Sequence, residues 1–466
     1  MRLKKVILKN FRCFESLELD LHPRLTVLVG ENGSGKTAIL DGIAFGLAPI
    51  LSHFSSANQR LSAPPKKDTD LRLESKVSRG GKLIWVASDF SQVEVETTSG
   101  LKWNRIQASK NTKHSGVKTG QTELSAYTNR IFEGLQSDSQ ELLPIFAYYG
   151  ARRGWIAVPG RLRDSKVNYS FPTSALVGAL DSLADFKEML KWFDREESAE
   201  YRANKDAPRE DWDESPALNA VRGTISSILG NAYHNPQFNS KHQFVLESKE
   251  MPGKFLQVEQ LSQGYQSMLA LGMDFARRLA LANDHLTHDN IMPIIEANKV
   301  WFQSDAEEHS EAWGSPPLLA PAIMLVDEID LHLHPSWQQR VLGDLRRAFP
   351  FTQFIVTTHS PQVLTTVASE CIRILSNGQV HSAPPGTEGA EASRLLKRVL
   401  GADIRPPASN ATKELHEYLS LVDAEQWDTP RAVELRRKLD TRYQGEEPAL
   451  LEADLRIENR KWELGQ

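Results

Sequence analysis

Residues 3 to 9 alternate apolar and polar positions, and residues 16 to 29 do so with turn residues between, the pattern of half-buried strands leading into Val27-Leu28-Val29. A glycine-rich stretch follows, then an apolar helix expected from about Lys36 to Pro49. Ser52 to Asp70 is rich in Ser, Pro and charge and reads as a loop. Leu71 to Ser78, Lys82 to Ser88 and Gln92 to Thr98 read as antiparallel strands. Gln121 to Leu135 has helical spacing, and Leu143 to Tyr149 reads as a buried strand ending at Gly150.

Residues 151 to 255 then read as an insertion. It carries an amphipathic helix expected from about Leu176 to Arg202, with Leu180, Leu183, Phe186, Leu190 and Phe193 at three-to-four spacing, and a second near Ala217 to Leu229. It is far too short for a long coiled-coil arm. Phe244 to Leu261 returns to strand character and runs into a helix from Gly264 to Asn283. An acidic segment without clear periodicity, about His285 to Pro317, comes next. Ile323 to Val326, a helix from Pro335 to Ala348, Phe354 to Thr357 and Cys371 to Leu375 then alternate strand and helix, the pattern of a parallel α/β sheet. Beyond Pro384-Pro385-Gly386 the leucines at 395, 396, 415, 419, 435, 439 and 455 mark a charged helical tail. The expected plan is residues 1–150 and 256–383 as two parts of one head, 151–255 as a mainly helical insertion, and 384–466 as a C-terminal helical region.

The 466 residues are 40% hydrophobic and 25% charged, the balance of a globular chain, and no apolar run is read as reaching the roughly 18 residues of a membrane helix. The basic N-terminus has too short an apolar stretch for a signal sequence, so a cytoplasmic location is expected. Cys13 and Cys371 have no Cys or His at ligand spacing, which supports neither a disulfide framework nor a zinc site. A formal net charge of −5 argues against coating nucleic acid through overall basicity, while a local patch keeps nucleic acid open as a partner.

Chemistry concentrates in four places. Gly30-Glu31-Asn32-Gly33-Ser34-Gly35-Lys36-Thr37 satisfies GxxxxGK[ST], directly after a strand and at the start of a helix. Its glycines let the backbone wrap a phosphate chain, helix-start N–H groups point at the anion, Lys36 reaches the outer phosphates, and Thr37 offers a hydroxyl to Mg2+. The alternative is a chance glycine-rich turn, which the flanking strand and helix disfavour. The apolar strand ending at Val326 delivers Asp327 to hold Mg2+ through water and Glu328 to orient the attacking water. Alone a strand end with two acids is weak; joined to the P-loop it reads as functional. Leu261-Ser262-Gln263-Gly264-Tyr265-Gln266 opens a helix whose positive end presents Ser262 and Gly264 to a phosphate, the alternative being an ordinary serine N-cap. His359, just past a strand in Thr357-Thr358-His359-Ser360-Pro361, is placed to reach a γ-phosphate or the attacking water.

In this order the four elements resemble ABC-type ATPase heads of the RecF, Rad50 and SMC group. The resemblance implies an α/β P-loop fold with a mixed sheet lobe and an antiparallel lobe, ATP and Mg2+ as cofactors, and ATP hydrolysis. It implies that Asn32, Gly33, Ser34, Gly35, Lys36 and Thr37 bind nucleotide in cis with Arg12 of Asn10-Phe11-Arg12, that Ser262, Gly264 and Gln266 bind it from a partner, and that Asp330 is the acid of the D-loop. In that fold the signature helix points away from its own P-loop, so the site is shared in a head-to-head homodimer that hydrolysis opens. More narrowly, Asp327 to Pro335, Phe146 to Gly150, and Gly389-Ala390-Glu391 with the tail resemble the PtuA-type ATPases of Septu and retron systems. That likeness implies an anti-phage role and an HNH nuclease partner. A RecF-like repair ATPase that clamps DNA is the alternative; a nuclease of the OLD kind is disfavoured because the tail has no room for a Toprim domain.

Two features depart from the group. The Q-loop glutamine expected after the strand ending near Tyr149 is replaced by Gly150-Ala151-Arg152-Arg153, and the acidic segment before Asp327 is long. Arg152, Arg153, Arg161, Arg163 and Lys166 form a basic stretch, by default a solvated surface. His332 and His334 read as packing or capping residues.

Overall fold

The computed structural model describes the chain except residues 57–58, 65, 78–80, 111–115, 138–140, 152–166, 183–185, 209–210, 230–231, 300–310 and 464–466. Its centre is a six-stranded sheet in the order β15-β14-β3-β13-β12-β8. These are β3 (Leu25–Gly30), β8 (Ile145–Tyr149), β12 (Ala322–Val326), β13 (Thr352–Thr357), β14 (Ile372–Ser376) and β15 (Gln379–Ser382). All but the edge strand β15 pair in parallel. Every residue of β3, β8, β12 and β13 is buried, as expected of parallel strands covered on both faces. The register sets Val326 beside both Val356 and Tyr149, Thr357 beside Leu28, and Leu375 beside Gly30. The loops leaving β3, β12, β13 and β8 therefore open on one edge of the sheet, where ligands of α/β folds bind.

A second, antiparallel sheet has the order β2-β1-β6-β7, from β1 (Leu3–Phe11), β2 (Phe14–Asp20), β6 (Phe90–Thr97) and β7 (Lys102–Ala108). Helix α1 (Lys36–Phe54) follows the P-loop and packs on this sheet. Gly42 and Gly46 let it approach closely, since a Cβ on them would lie 2.7 Å from Leu8 and 2.6 Å from Val95. By length and composition α1 passes as a membrane span, against the expectation that no such run exists; its window is 72% buried, as befits a core helix. The strands β4 (Leu73–Val77) and β5 (Leu83–Ala87) form a separate hairpin, and β9 (Tyr233–Phe238), β10 (Phe244–Ser248) and β11 (Phe255–Gln257) a three-stranded sheet. The chain also forms helices α2 (Gln121–Gln136), α3 (Lys187–Ala203), α4 (Pro216–Ile228) and α5 (Gln263–Ala282).

The structure corrects the helix expected from Leu176. A 3-10 turn, Pro172–Leu176, gives way to a strap, and α3 begins only at Lys187. The strap's carbonyls are taken by tertiary partners instead of a helix ladder. Arg278 donates to Ala175 O at 2.6 Å and Val177 O at 2.9 Å, and the amides of Tyr148 in β8 and of Gly150 just after it donate to Ala179 O and Ser182 O. The helix expected from Pro335 to Ala348 is two, Pro335–Gln338 and Val341–Ala348, interrupted where Arg340 adopts φ −121° and pairs with Asp344.

Met1–Leu395 form one compact unit and Leu396–Gln466 a second. The turn at Pro384–Gly386 lies inside the first, where the Thr387 hydroxyl donates to Val367 O and Gly389 N–H to Thr365 O. The second unit includes helices Asn410–Asp423, Pro430–Tyr443 and Pro448–Glu463, packed around Leu415, Tyr418, Leu435, Leu439 and Leu450.

Candidate nucleotide site

The loop from Gly30 to Gly35 needs its glycines for two reasons. Gly30 and Gly35 have φ of 154° and 99°, and a Cβ would lie 2.5 Å from Leu375 O at the first and 2.4 Å from the Phe14 ring at the second. Gly35 caps α1 without a side chain, so the orphan N–H groups of its first turn are left for an anion. Ser34 Oγ is buried there with no hydrogen-bond partner. Lys36 Nζ donates to Gly30 O at 2.8 Å and Glu31 O at 2.9 Å, folded over the cradle that its loop makes. Burial lowers the Lys36 pKa, and the carboxylates of Asp327, Glu328 and Asp330 oppose that shift. A glycine cradle, uncapped amides, an orphaned hydroxyl and a lysine together fit a phosphate chain.

Asp327 is buried and accepts from two hydroxyls, Thr37 Oγ1 to its Oδ2 at 2.9 Å and Thr357 Oγ1 to its Oδ1 at 2.7 Å. Because the Thr37 proton points at Asp327, the Thr37 lone pairs are left for a cation, which suits Mg2+. Glu328 has φ 49°, a left-handed conformation costing about 1–3 kcal/mol for a non-glycine residue. Its N–H donates to Thr357 Oγ1 at 2.7 Å, and its neighbour Ile329 N–H donates to Thr357 O. Thr358 Oγ1 donates to Asp330 Oδ1 at 2.6 Å. His359 follows on the same loop and is half-buried.

Ser262 is the exposed N-cap of α5, its Oγ accepting from Tyr265 N–H at 3.5 Å, while the Gln266 amide donates to Leu261 O. Gly264 abuts the loop after Glu328, where a Cβ would lie 2.8 Å from His332 O. Among the described residues no hydrogen bond joins Ser262, Gly264 or Gln266 to the Gly30–Thr37 loop. Lys36, Thr37, Asp327, Glu328, Asp330 and His359 thus converge on one sheet edge, and the signature residues cap a separate helix end beside the His332 loop.

Arg12, expected at the nucleotide, sits in a tight turn between β1 and β2 at φ 52° and pairs with Asp41 and with Asp70, the latter at 3.0 Å. Burial lowers its pKa, and the two carboxylates more than offset this. His334 accepts from Ser336 N–H and caps the helix it enters; no group of three potential metal ligands occurs among the described residues. The basic stretch Arg152 to Lys166 lies outside the described residues, and so do Arg152 and Arg153 of the segment that stands in place of a Q-loop glutamine.

Nothing in the sequence pattern assigns a role to Thr357, Thr358, Asp41 or Asp70: the threonine pair precedes His359, and only the register of β12 against β13 turns it toward the acids.

Two family models match, an "AAA domain" over residues 5–229 and, over residues 223–365, an "AAA domain, putative AbiEii toxin, Type IV TA system". The chain is 29% identical to the "Retron Ec83 probable ATPase" of Escherichia coli over 99% of this chain and 88% of that one. It is 25% identical to the "Retron Vc95 probable ATPase" of Vibrio cholerae over 81% of this chain and 74% of that one. A shorter match, 31% identity over 28% of this chain and 14% of the other, is to "Septu protein PtuA" of Bacillus mycoides. With its glycine-rich loop, the acid pair Asp327-Glu328 and His359 gathered on one sheet edge, the chain is an ATPase with AAA domains, and retron ATPases and Septu PtuA are among its homologues.

Proposed function

We propose that the protein is an anti-phage ATPase that closes as a head-to-head pair on two molecules of ATP and Mg2+ and, by opening on hydrolysis, controls a separate nuclease of the HNH type. The observation that carries the reading is the Thr37–Asp327–Thr357 hydrogen-bond chain, which ties the phosphate loop to the strand that delivers Glu328. In it Asp327 and Thr37 would hold the metal, Glu328 would orient water, and His359 would meet the γ-phosphate. When bound, the metal would supply charge neutralisation of the phosphates; the chain supplies position. Ser262, Gly264 and Gln266 act on the partner's nucleotide, which agrees with an exposed helix end not bonded to its own P-loop.

The likeness to retron and Septu ATPases supports the defence role. Against a nuclease housed in the chain itself, the C-terminal unit is built of helices around a leucine core, with no strand end among its described residues to present carboxylates to metals. The test is a plasmid-cleavage assay with Mg2+ or Mn2+. The chain alone is expected to hydrolyse ATP and leave DNA intact, and cleavage is expected only with an HNH protein encoded beside it. Robust cleavage by the chain alone, or tight, salt-sensitive, ATP-dependent duplex binding without any nuclease, contradicts the proposal in favour of the OLD-like or RecF-like alternative.

A further inference from the structure

We infer that Thr357, the last residue of β13, is a positioning residue for hydrolysis: one buried hydroxyl fixes both the acid assigned to the metal and the backbone of the acid assigned to the water. The inference rests on the roles proposed above for Asp327 and Glu328.

Thr357 is fully buried. A hydroxyl has one proton and two lone pairs, and here both kinds of capacity are used. The proton goes to Asp327 Oδ1 at 2.7 Å, and a lone pair receives Glu328 N–H at 2.7 Å. Asp327 Oδ2 meanwhile receives Thr37 Oγ1 at 2.9 Å, so the carboxylate is held from two sides and cannot rotate without breaking one bond. Glu328 turns left-handed at φ 49°, and the bond from its own amide to Thr357 fixes that turn, hence the direction in which its side chain leaves the strand. The Thr357 carbonyl accepts Ile329 N–H at 2.9 Å, closing a second link between the two strand ends. Next along the chain, the Thr358 hydroxyl ties to Asp330 and Ser360 Oγ to Gln338 Oε1, so the segments flanking His359 are bonded to the loop after Glu328 and to the short helix that follows it. Serine would keep the hydroxyl, and valine would keep the shape while removing the donor to Asp327 and the acceptor for Glu328.

The test compares Thr357→Val and Thr357→Ser with wild type, and uses Thr352→Val as a control. Thr352 is buried on the same strand and its Oγ1 makes no hydrogen bond, so valine there removes no polar contact. Two quantities are read: ATP turnover against Mg2+ concentration, and the affinity for a fluorescent ATP analogue with and without Mg2+. Thr357→Val is expected to lower kcat by about 10- to 100-fold, the range for groups that orient a metal ligand. It should also raise the Mg2+ concentration for half-saturation and weaken the gain in nucleotide affinity that Mg2+ brings, leaving metal-free affinity unchanged. Thr357→Ser should restore all three and Thr352→Val should match wild type. If Thr357→Val is insoluble, Thr357→Ala carries the same expectation. Wild-type Mg2+ dependence in Thr357→Val, an equal loss in Thr352→Val, or failure of serine to restore function would overturn the inference. Should Glu328→Gln lose turnover while Thr357→Val keeps wild-type kinetics, this inference falls and the role of Glu328 stands. If Glu328→Gln turns over normally, the site assignment fails and this inference with it.

Discussion

Replacing Asp274 by alanine is expected to lower the unfolding free energy by about 3–5 kcal/mol, the cost of stranding charges in a buried ion pair. Asp274, on α5, bonds Arg277 at 2.7 Å, Arg278 at 2.7 Å and Tyr149 Oη at 2.9 Å, all within the core. Arg278 carries the contact on to the strap through Ala175 O and Val177 O, and Tyr149 carries it to the site, since its carbonyl accepts the Asp327 N–H at 2.9 Å. Such a loss is a large share of the roughly 5–15 kcal/mol that holds a typical domain. Burial by itself pushes the Asp274 pKa up, but Arg278, Arg277 and the Tyr149 hydroxyl prevail and hold it at about 2. Its folded pKa lies below the unfolded value of about 3.9. The stabilisation is therefore complete above about pH 4 and disappears as pH falls through about 2. Urea unfolding at pH 7 and pH 3 checks both points: the gap between wild type and Asp274→Ala should narrow at the lower pH, and a gap independent of pH would show that packing and not charge is at stake.

Glu328→Gln is expected to cut ATP turnover by about 10²- to 10⁴-fold, the usual worth of a positioned proton-accepting group, with ATP affinity little changed. The amide keeps the side chain's size, and the bond to Thr357 is made by the Glu328 backbone, so the left-handed turn persists in the variant. Single-turnover hydrolysis with a separate nucleotide-binding titration resolves the two effects. Normal turnover in Glu328→Gln would remove this residue from the chemistry.

The chemistry was legible in the sequence wherever it lay in a contiguous motif. Gly30 to Thr37 and Asp327-Glu328 sit at strand ends because the runs before them, Val27 to Val29 and Ala322 to Val326, are apolar, a local signal that survives without tertiary knowledge. What was hidden depends on partners distant in the chain. The residues around Leu176 have helical spacing, yet Arg278 and the amides of Tyr148 and Gly150 claim the carbonyls a helix would use. The strand β9 contains Pro236 and a left-handed Asn235 and so does not read as a strand, although β10 pairs with it. The pairing of Arg12 with Asp41 and Asp70 joins three separate segments, and no spacing rule links them.

Molar mass with and without ATP and Mg2+, measured for Glu328→Gln and Lys36→Ala, tests the shared nucleotide site most directly. For a chain of 52.3 kDa, Glu328→Gln should approach twice the monomer mass when nucleotide is added, and Lys36→Ala should not respond. Adding Ser262→Arg to Glu328→Gln should abolish the response while leaving ATP bound to each copy. ATP-saturated Glu328→Gln that stays at its nucleotide-free mass, or pairing that survives Ser262→Arg undiminished, would contradict a triphosphate held between Lys36 of one copy and Ser262 of the other.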